Sequence, residues 1–131
     1  MRILLDSHVI IWLALAPHRI SPAATESISV ANNPGGLIAI STASLYEIAY
    51  LIRVGRVLSS IPEQAFLARV RSRFNVFPIS SEIAICAAQF SLPLHGDPLD
   101  RMIAATAVLE NCTLITADRK LLDSGVCRTI W

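Results

Sequence analysis

Short apolar runs without charges, each followed by a helix-like segment, constrain the fold of this chain more than any other feature. The runs lie at Ile3–Leu5, Leu37–Ile40, Val76–Ile79 and Thr113–Thr116, and Arg128–Ile130 adds a candidate edge strand. Such runs are typical of strands buried on both faces of a sheet. Alternation with helices predicts a three-layer α/β/α domain with a mainly parallel central sheet of four to five strands. The length of 131 residues suits one domain spanning 1–131.

The segments between these runs predict seven helices. Ser and Asp residues, followed in two cases by Pro, mark several of the expected starts. The first predicted helix is expected to stop near Pro17, and Leu92–Gly96 is expected to be a loop. The predicted helices cover about 9–16, 22–32, 42–54, 62–73, 81–90, 98–111 and 119–122, with Ser41, Thr42 or Ser44 capping the third.

Four carboxylates stand out against the apolar sequence. Asp6 follows the first run and Asp118 the fourth, while Glu47 and Asp100 are expected in the first turns of helices. The carboxyl ends of parallel strands form the edge where ligands gather in such sheets. A carboxylate buried there is costly unless it is paired or binds a metal. The four acids therefore predict a divalent-cation site suited to phosphodiester chemistry.

Each acid also has an ordinary explanation. Asp6, Asp97 and Asp118 all precede predicted helices, where Asp is a favoured N-cap. Asp100, at the third helical position, would favour the helix dipole without any catalytic role. Glu47 is harder to explain this way, because its neighbours are apolar and an exposed helix face would carry more polar residues. Taken together, the four acids favour a metal site over four independent coincidences.

The composition points to partners. Charged residues make up only 16% of the chain and apolar residues 53%, with a mean hydropathy of +0.56. A core-rich domain would explain this, but a surface covered by another protein is favoured. Ten of the eleven basic residues are Arg, and their mid-chain cluster is either a solvated helix face or a contact for a nucleic-acid backbone. The cluster comprises Arg53, Arg56, Arg69, Arg71 and Arg73.

Cysteine usage and the N-terminus indicate a cytoplasmic protein. Cys86, Cys112 and Cys127 are odd in number, lack CxxC spacing and lie among apolar residues, which predicts buried, reduced thiols and argues against a structural zinc site. The first residues imitate a signal peptide, but Asp6 and His8 interrupt the apolar stretch. No membrane association is expected, since no later stretch reaches spanning length without charges.

Four short segments, taken in order, resemble the acidic motifs of PIN-domain ribonucleases, particularly the VapC-type toxins of bacterial toxin–antitoxin pairs. The resemblance extends over essentially the whole chain, and although each motif alone is weak, four in order are specific. The segments are Leu4-Leu5-Asp6-Ser7-His8-Val9, Ser44-Leu45-Tyr46-Glu47-Ile48-Ala49, Asp97-Pro98-Leu99-Asp100-Arg101-Met102-Ile103-Ala104-Ala105-Thr106-Ala107 and Leu114-Ile115-Thr116-Ala117-Asp118.

The resemblance implies roles for particular residues. Ser7 and Thr116 occupy positions where the family places small polar supports, although Ser7 replaces the more usual Thr. Asp97 is a second acid in the third motif, so it could be a cap, an outer-shell group or a ligand in competition with Asp100. Arg101 could hold Asp97 or contact substrate phosphate. The metal-binding and catalytic acids implied by the resemblance are Asp6, Glu47, Asp100 and Asp118.

The implied activity is that of an endoribonuclease dependent on Mg²⁺ or Mn²⁺, which hydrolyses RNA phosphodiester bonds as a toxin. Carboxylates alone would repel the phosphate, and hard cations that prefer oxygen ligands reverse that repulsion. The resemblance also implies a homodimer and a small cognate antitoxin. His8, His18 and His95 show no ligand spacing and are expected to be structural or exposed, although His95 lies near the proposed site.

Two other function classes compete with the nuclease. A phosphatase or phosphotransfer domain would favour a second acid two residues after Asp6, where this chain has His8. A non-catalytic RNA- or protein-binding module is the second alternative. Loss of one of the four acids would favour it, but all are present, and the eight aromatic residues suggest no stacking platform.

Overall fold

A five-stranded, wholly parallel sheet forms the centre of the protein, in a computed structural model that describes residues 1–91 and 97–131. The strand order is β3-β2-β1-β4-β5, so the first strand lies in the middle. The prediction of a mainly parallel sheet of four to five strands is confirmed. The strands are β1 (Arg2–Leu5), β2 (Leu37–Ser41), β3 (Asn75–Phe77), β4 (Thr113–Ile115) and β5 (Thr129–Ile130).

Seven α-helices in the described residues connect the strands, at the positions predicted from sequence. A short 3-10 helix at Pro17–Arg19 was not predicted. The loop expected over Leu92–Gly96, with His95, lies outside the described residues. No helix within 1–91 or 97–131 is long and apolar enough to cross a membrane. The helices are α1 (Ser7–Leu15), α2 (Pro22–Ala31), α3 (Thr42–Arg53), α4 (Glu63–Arg73), α5 (Ser81–Gln89), α6 (Pro98–Leu109) and α7 (Arg119–Ser124).

The two faces of the sheet bury separate apolar clusters. Ile3 and Leu5 of β1 belong to the cluster that includes α1, α2, α3 and α4, whereas Leu4 packs in the cluster with α6 and α7. Successive side chains of a strand point to opposite faces, so β1 contributes to both layers at once. This explains why its apolar run is continuous rather than alternating.

The end of β3 and the placement of Glu47 differ from the predictions for identifiable reasons. β3 ends at Phe77 instead of Ile79, because Pro78 has no N–H with which to continue a ladder. The Ser41 hydroxyl accepts a hydrogen bond from Ala43 N (3.0 Å), so α3 begins at Thr42. Glu47 is therefore the sixth residue of α3 and lies in its second turn, and the placement in the first turn was wrong.

The three cysteines are free thiols. Cys112 is buried as predicted, whereas Cys86 and Cys127 are half-buried. Burial raises the pKa of the Cys112 thiol and raises that of Cys127 to about 11. Both side chains are therefore protonated, weakly reactive thiols at neutral pH.

Candidate metal centre

Strand β1 and its neighbour β4 are each followed by an aspartate that starts the next helix. Asp6 follows β1, and its Oδ1 accepts a hydrogen bond from Ser7 N (2.8 Å) at the start of α1. Asp118 follows β4 after two residues, and its Oδ1 accepts from Lys120 N (2.8 Å) at the start of α7. Because β1 and β4 are parallel neighbours, both acids lie at the same edge of the sheet. The caps expected from sequence therefore exist and coincide with the proposed site.

Thr116 joins these two acids. Its buried hydroxyl donates to Asp6 Oδ2 (2.6 Å) and accepts from Asp118 N (3.0 Å). Asp6 is itself buried, at 5% exposure, so both of its oxygens are held by hydrogen bonds from the protein. Thr116 therefore links the carboxylate of Asp6 to the backbone at the start of α7.

Three further acids lie on or at the start of the two helices that approach this edge. Glu47 of α3 and Asp97 and Asp100 of α6 each present a carboxylate oxygen within 4.8 Å of the other two. Asp97 also accepts from Leu99 N (2.9 Å), so it is both the cap of α6 and a member of the group. Asp6 and Asp118 are not part of this close triad, but their charges reach it.

Burial and the charges of neighbouring acids raise the pKa values of Asp6, Glu47 and Asp100. The pKa of Asp100 rises to about 7, chiefly because of burial and further because of the charges of Asp97, Asp6, Asp118 and Glu47, in that order. Burial also raises the pKa of Asp6, against the opposing hydrogen bonds from Thr116 and Ser7. Without a counterion, the folded protein therefore favours partial protonation of this cluster.

Glu47 has a raised pKa for the same first reason, burial, while the hydroxyl of Ser7 and the charge of His8 lower it. Ser7 lies close enough to influence the carboxylate, yet its buried Oγ has no partner in hydrogen-bond geometry among the described residues. Ser44 Oγ, one helical turn before Glu47, is buried and unpartnered in the same way. Buried polar atoms without partners are rare in native proteins and call for a bound ion or water.

The donor set fits a divalent cation. It consists of the carboxylate oxygens of Glu47, Asp97 and Asp100, which hard cations prefer, and the unpartnered hydroxyl of Ser7 beside Glu47 offers a further oxygen. Burial and the negative charges of the other acids raise the pKa of Asp100, and a bound cation would offset those charges. The protein therefore has an acidic cluster able to bind a metal ion.

Arg101 contacts the end of a neighbouring helix. Its Nε donates to Ala87 O (3.0 Å), and its Nη2 donates to Phe90 O (2.6 Å) and Ala88 O (3.4 Å). These carbonyls close α5, so the guanidinium ties α5 to α6 near the acidic cluster. This structural role was not among the two considered from sequence.

Sequence reasoning missed two aromatic features near the site. Tyr46 and Tyr50 form an exposed stacked pair on α3, with ring centroids 6.3 Å apart and planes at 17°. Trp12 of α1 lies beneath the guanidinium of Arg19 and lines a cleft that also contains Glu47. The i, i+4 spacing of the tyrosines was a readable signal, whereas the Trp12–Arg19 contact depends on the unpredicted 3-10 helix.

The chain is similar to known proteins along almost its whole length. The PIN domain family model matches residues 3–125. Ribonuclease VapC22 of Mycobacterium tuberculosis is 34% identical over 131 residues, covering 98% of each chain. VapBC2 from Rickettsia felis, bound to a promoter DNA fragment, superposes with a TM-score of 0.74 at 20% identity over 99% of this chain and 98% of that one.

A second solved structure supports the same fold. Mycobacterium tuberculosis VapC20, described as a toxin that cleaves the sarcin-ricin loop, gives a TM-score of 0.67 at 14% identity over 94% and 95% of the two chains. The resemblance noted in the sequence is thus confirmed by the match along almost the whole chain. The chain belongs to the PIN domain family, and within it to the VapC-type proteins.

Proposed function

We propose that the protein is a metal-dependent endoribonuclease that hydrolyses RNA phosphodiester bonds as the toxin of a toxin–antitoxin pair. The observation that carries the proposal is the triad of Glu47, Asp97 and Asp100, within 4.8 Å of one another beside Asp6 and Asp118. The ribonuclease name of VapC22, at 34% identity over nearly the full chain, supports the same activity.

The acids are assigned as ligands first. Asp6, Glu47, Asp100 and Asp118 would hold the cation and form the catalytic centre, and Asp97 would join them through the oxygen that faces Glu47 and Asp100. Mg²⁺ or Mn²⁺ suits an all-oxygen donor set. When bound, such an ion neutralises phosphate charge and activates water for attack at phosphorus.

The chain's own residues set the conditions for that chemistry. Thr116 and Ser7 N hold Asp6 with fixed oxygen positions, so this carboxylate cannot rotate away from the site. Asp100 has a pKa of about 7, so its proton competes with a cation near neutral pH. The uncompensated acids would repel RNA, which makes substrate binding depend on the cation.

A cognate antitoxin and a second copy of the chain are the expected protein partners, in the cytoplasm. The exposed apolar side chains Tyr46, Tyr50, Leu58 and Ile85, at 50% to 87% exposure, offer surface for such contacts. A solved structure of similar fold, from Klebsiella pneumoniae, is a toxin–antitoxin complex (TM-score 0.67 at 23% identity). This supports the proposal that the high apolar content reflects covered surface.

The test is RNA cleavage by protein freed of any co-purifying partner, in Mg²⁺, Mn²⁺ or EDTA. Asp100→Asn removes one acid of the triad, and Asp123→Asn is the matched control on the exposed face of α7. We expect cleavage by the wild type and by Asp123→Asn, and loss of cleavage in EDTA and in Asp100→Asn. Equal cleavage by both variants would refute the site. No cleavage of any RNA by the wild type, with no Mn²⁺ binding, would favour the non-catalytic module.

A further inference from the structure

An open cleft of about 770 Å³ adjoins the acidic cluster and contains two arginines that the site described above does not use. Glu47 and Asp97 line it, and so do Trp12, Arg19 and Arg56. The cleft is therefore continuous with the proposed metal centre, but its other charged wall is positive. A surface that carries both negative and positive charges restricts the kind of ligand that can bind along it.

The Arg19 guanidinium is held in place by an aromatic ring. Its central carbon lies 4.4 Å from the centroid of the Trp12 ring. Trp12 is in turn flanked by His8, at 5.9 Å between centroids, and by Trp131, at 5.6 Å. A guanidinium stacked on a tryptophan keeps its N–H edges available and loses less freedom when it binds an anion.

Arg56 lies in the turn that follows α3. Its backbone N donates to Leu51 O (2.9 Å), next to Gly55, whose φ of 79° suits the turn. The side chain is exposed, and within 1–91 and 97–131 it makes no ion pair. Arg53, by contrast, is paired with Glu63. The charge of Arg56 is thus available to a ligand in the cleft.

We propose that this cleft binds the backbone of single-stranded RNA next to the cleaved bond, with Arg19 and Arg56 contacting flanking phosphates. The inference rests on the proposed nuclease function and names the substrate-positioning surface of that same site. Trp12 is a positioning residue, because it acts through Arg19. Phosphate contacts of this kind add affinity without reading sequence.

The occupant is argued from the charges on the cleft walls. RNA carries a phosphate on every nucleotide, so one phosphate can lie at the cation while its neighbours reach the arginines. An acidic peptide segment would suit the arginines but would bring carboxylates beside Glu47 and Asp97, with no cation to bridge them. The alternation of acidic and basic walls therefore favours a polyanion that shares the cation.

The test measures RNA affinity as a function of salt. A fluorescent single-stranded poly(A) oligonucleotide is titrated against Arg19→Gln, Arg56→Gln and the control Arg71→Gln, an exposed α4 arginine that does not line the cleft. Each cleft variant should bind about tenfold more weakly. Its slope of log K against log salt should fall by about 0.7 for each lost phosphate contact. In cleavage assays KM should rise while kcat is retained.

Trp12 variants test the positioning role. Trp12→Leu should weaken RNA binding about as much as Arg19→Gln does. The double variant should bind RNA only slightly more weakly than either single variant, because both changes remove the same phosphate contact. Trp12→Phe should retain most of the affinity. Thermal unfolding of each variant shows whether a loss of RNA affinity results from misfolding, since Trp12 also packs against the core. Full additivity of folded Trp12→Leu and Arg19→Gln would overturn the positioning role.

The outcomes separate this inference from the proposed function. If the wild type cleaves RNA but Arg19→Gln and Arg56→Gln match Arg71→Gln in affinity and salt slope, the cleft proposal is wrong and the nuclease stands. If those variants instead weaken only the inhibition by a co-expressed antitoxin, the cleft is a protein-docking surface and the RNA proposal is overturned. Failure of wild-type cleavage under all metal conditions refutes the nuclease itself.

Discussion

The Thr116 hydroxyl donates a 2.6 Å hydrogen bond to Asp6 Oδ2 and thereby couples the ends of the neighbouring strands β4 and β1. The two residues are far apart in sequence, but the parallel pairing of β1 and β4 brings them together. The same hydroxyl accepts from Asp118 N (3.0 Å), so one side chain orients two acids. Burial raises the pKa of Asp6, and the hydrogen bond from Thr116 opposes that rise. The charged form of Asp6 is therefore stabilised by this contact.

Replacing Thr116 with Val should destabilise the protein. The substitution keeps the shape but leaves Asp6 Oδ2 and Asp118 N without their partner, and an unsatisfied buried polar group costs about 1–3 kcal/mol. We expect a loss of that size in the free energy of unfolding in urea at pH 7, without metal. The pKa of Asp6 should rise further, because the hydrogen bond that favours its charged form is gone.

Thr106→Val is the matched control. Thr106 is equally buried, but its hydroxyl donates to Met102 O (2.7 Å) within α6, to a carbonyl that the helix can satisfy. Its replacement should cost less than Thr116→Val. Equal losses for the two variants would show that the contact with Asp6 contributes nothing specific to stability.

Asp100→Asn should make the metal-free protein more stable at pH 8. The pKa of Asp100 is raised to about 7, so its ionised form is unfavourable in the folded state. The neutral amide removes that repulsion at almost unchanged volume. Allowing for the exposure of the site, we expect the melting temperature in EDTA to rise by about 3 °C, with loss of the further rise that Mn²⁺ gives the wild type. A lower melting temperature than that of Asp123→Asn in EDTA would contradict the electrostatic account.

The pH dependence of stability follows from the same shift. Between the ordinary pKa of 3.8 and about 7, the folded state holds the Asp100 proton more strongly than the unfolded state. The unfolded state therefore binds fewer protons, and stability falls as pH rises through this range. The raised pKa values of Asp6 and Glu47 act in the same direction.

Metal binding should reverse that trend. Because protons and cations compete for the same oxygens, Mn²⁺ affinity should rise from pH 5 to pH 8. Calorimetric melts in EDTA and in Mn²⁺ across this range would show two curves that diverge with increasing pH. An affinity that does not change with pH would exclude the carboxylate cluster as the binding site.

The sequence predicted the strands, the helices and the acidic edge because each rests on local rules. Asp6 and Asp97 precede apolar helical segments, which makes each a candidate N-cap, and both caps are present. The turn of α3 that carries Glu47 was misplaced, because Ser41, Thr42 and Ser44 are all acceptable caps and only the folded chain selects Ser41.

Other features depend on contacts that no local rule encodes. Which acids lie within 4.8 Å of one another depends on the approach of α3 to α6, and this brings Asp97 into the triad alongside Glu47 and Asp100. The stacking of Arg19 on Trp12 requires the chain to turn back after α1. Contacts between side chains of different elements thus mark the limit of what the sequence pattern alone could predict here.

Asp97 can be tested as cap and ligand separately. Asp97→Ser keeps a side-chain oxygen for Leu99 N but removes the carboxylate, whereas Asp97→Ala removes both. We expect Asp97→Ser to be at least as stable as the wild type in EDTA, because it keeps the cap and removes a charge that raises the pKa of Asp100. Asp97→Ala should be less stable than Asp97→Ser by about 1 kcal/mol, because it lacks the cap. Both should lose roughly tenfold or more in Mn²⁺ affinity, because each lacks the negative carboxylate that lies near Glu47 and Asp100. Wild-type Mn²⁺ affinity in Asp97→Ser would instead make Asp97 a cap alone and leave Asp100 as the acid of the third motif.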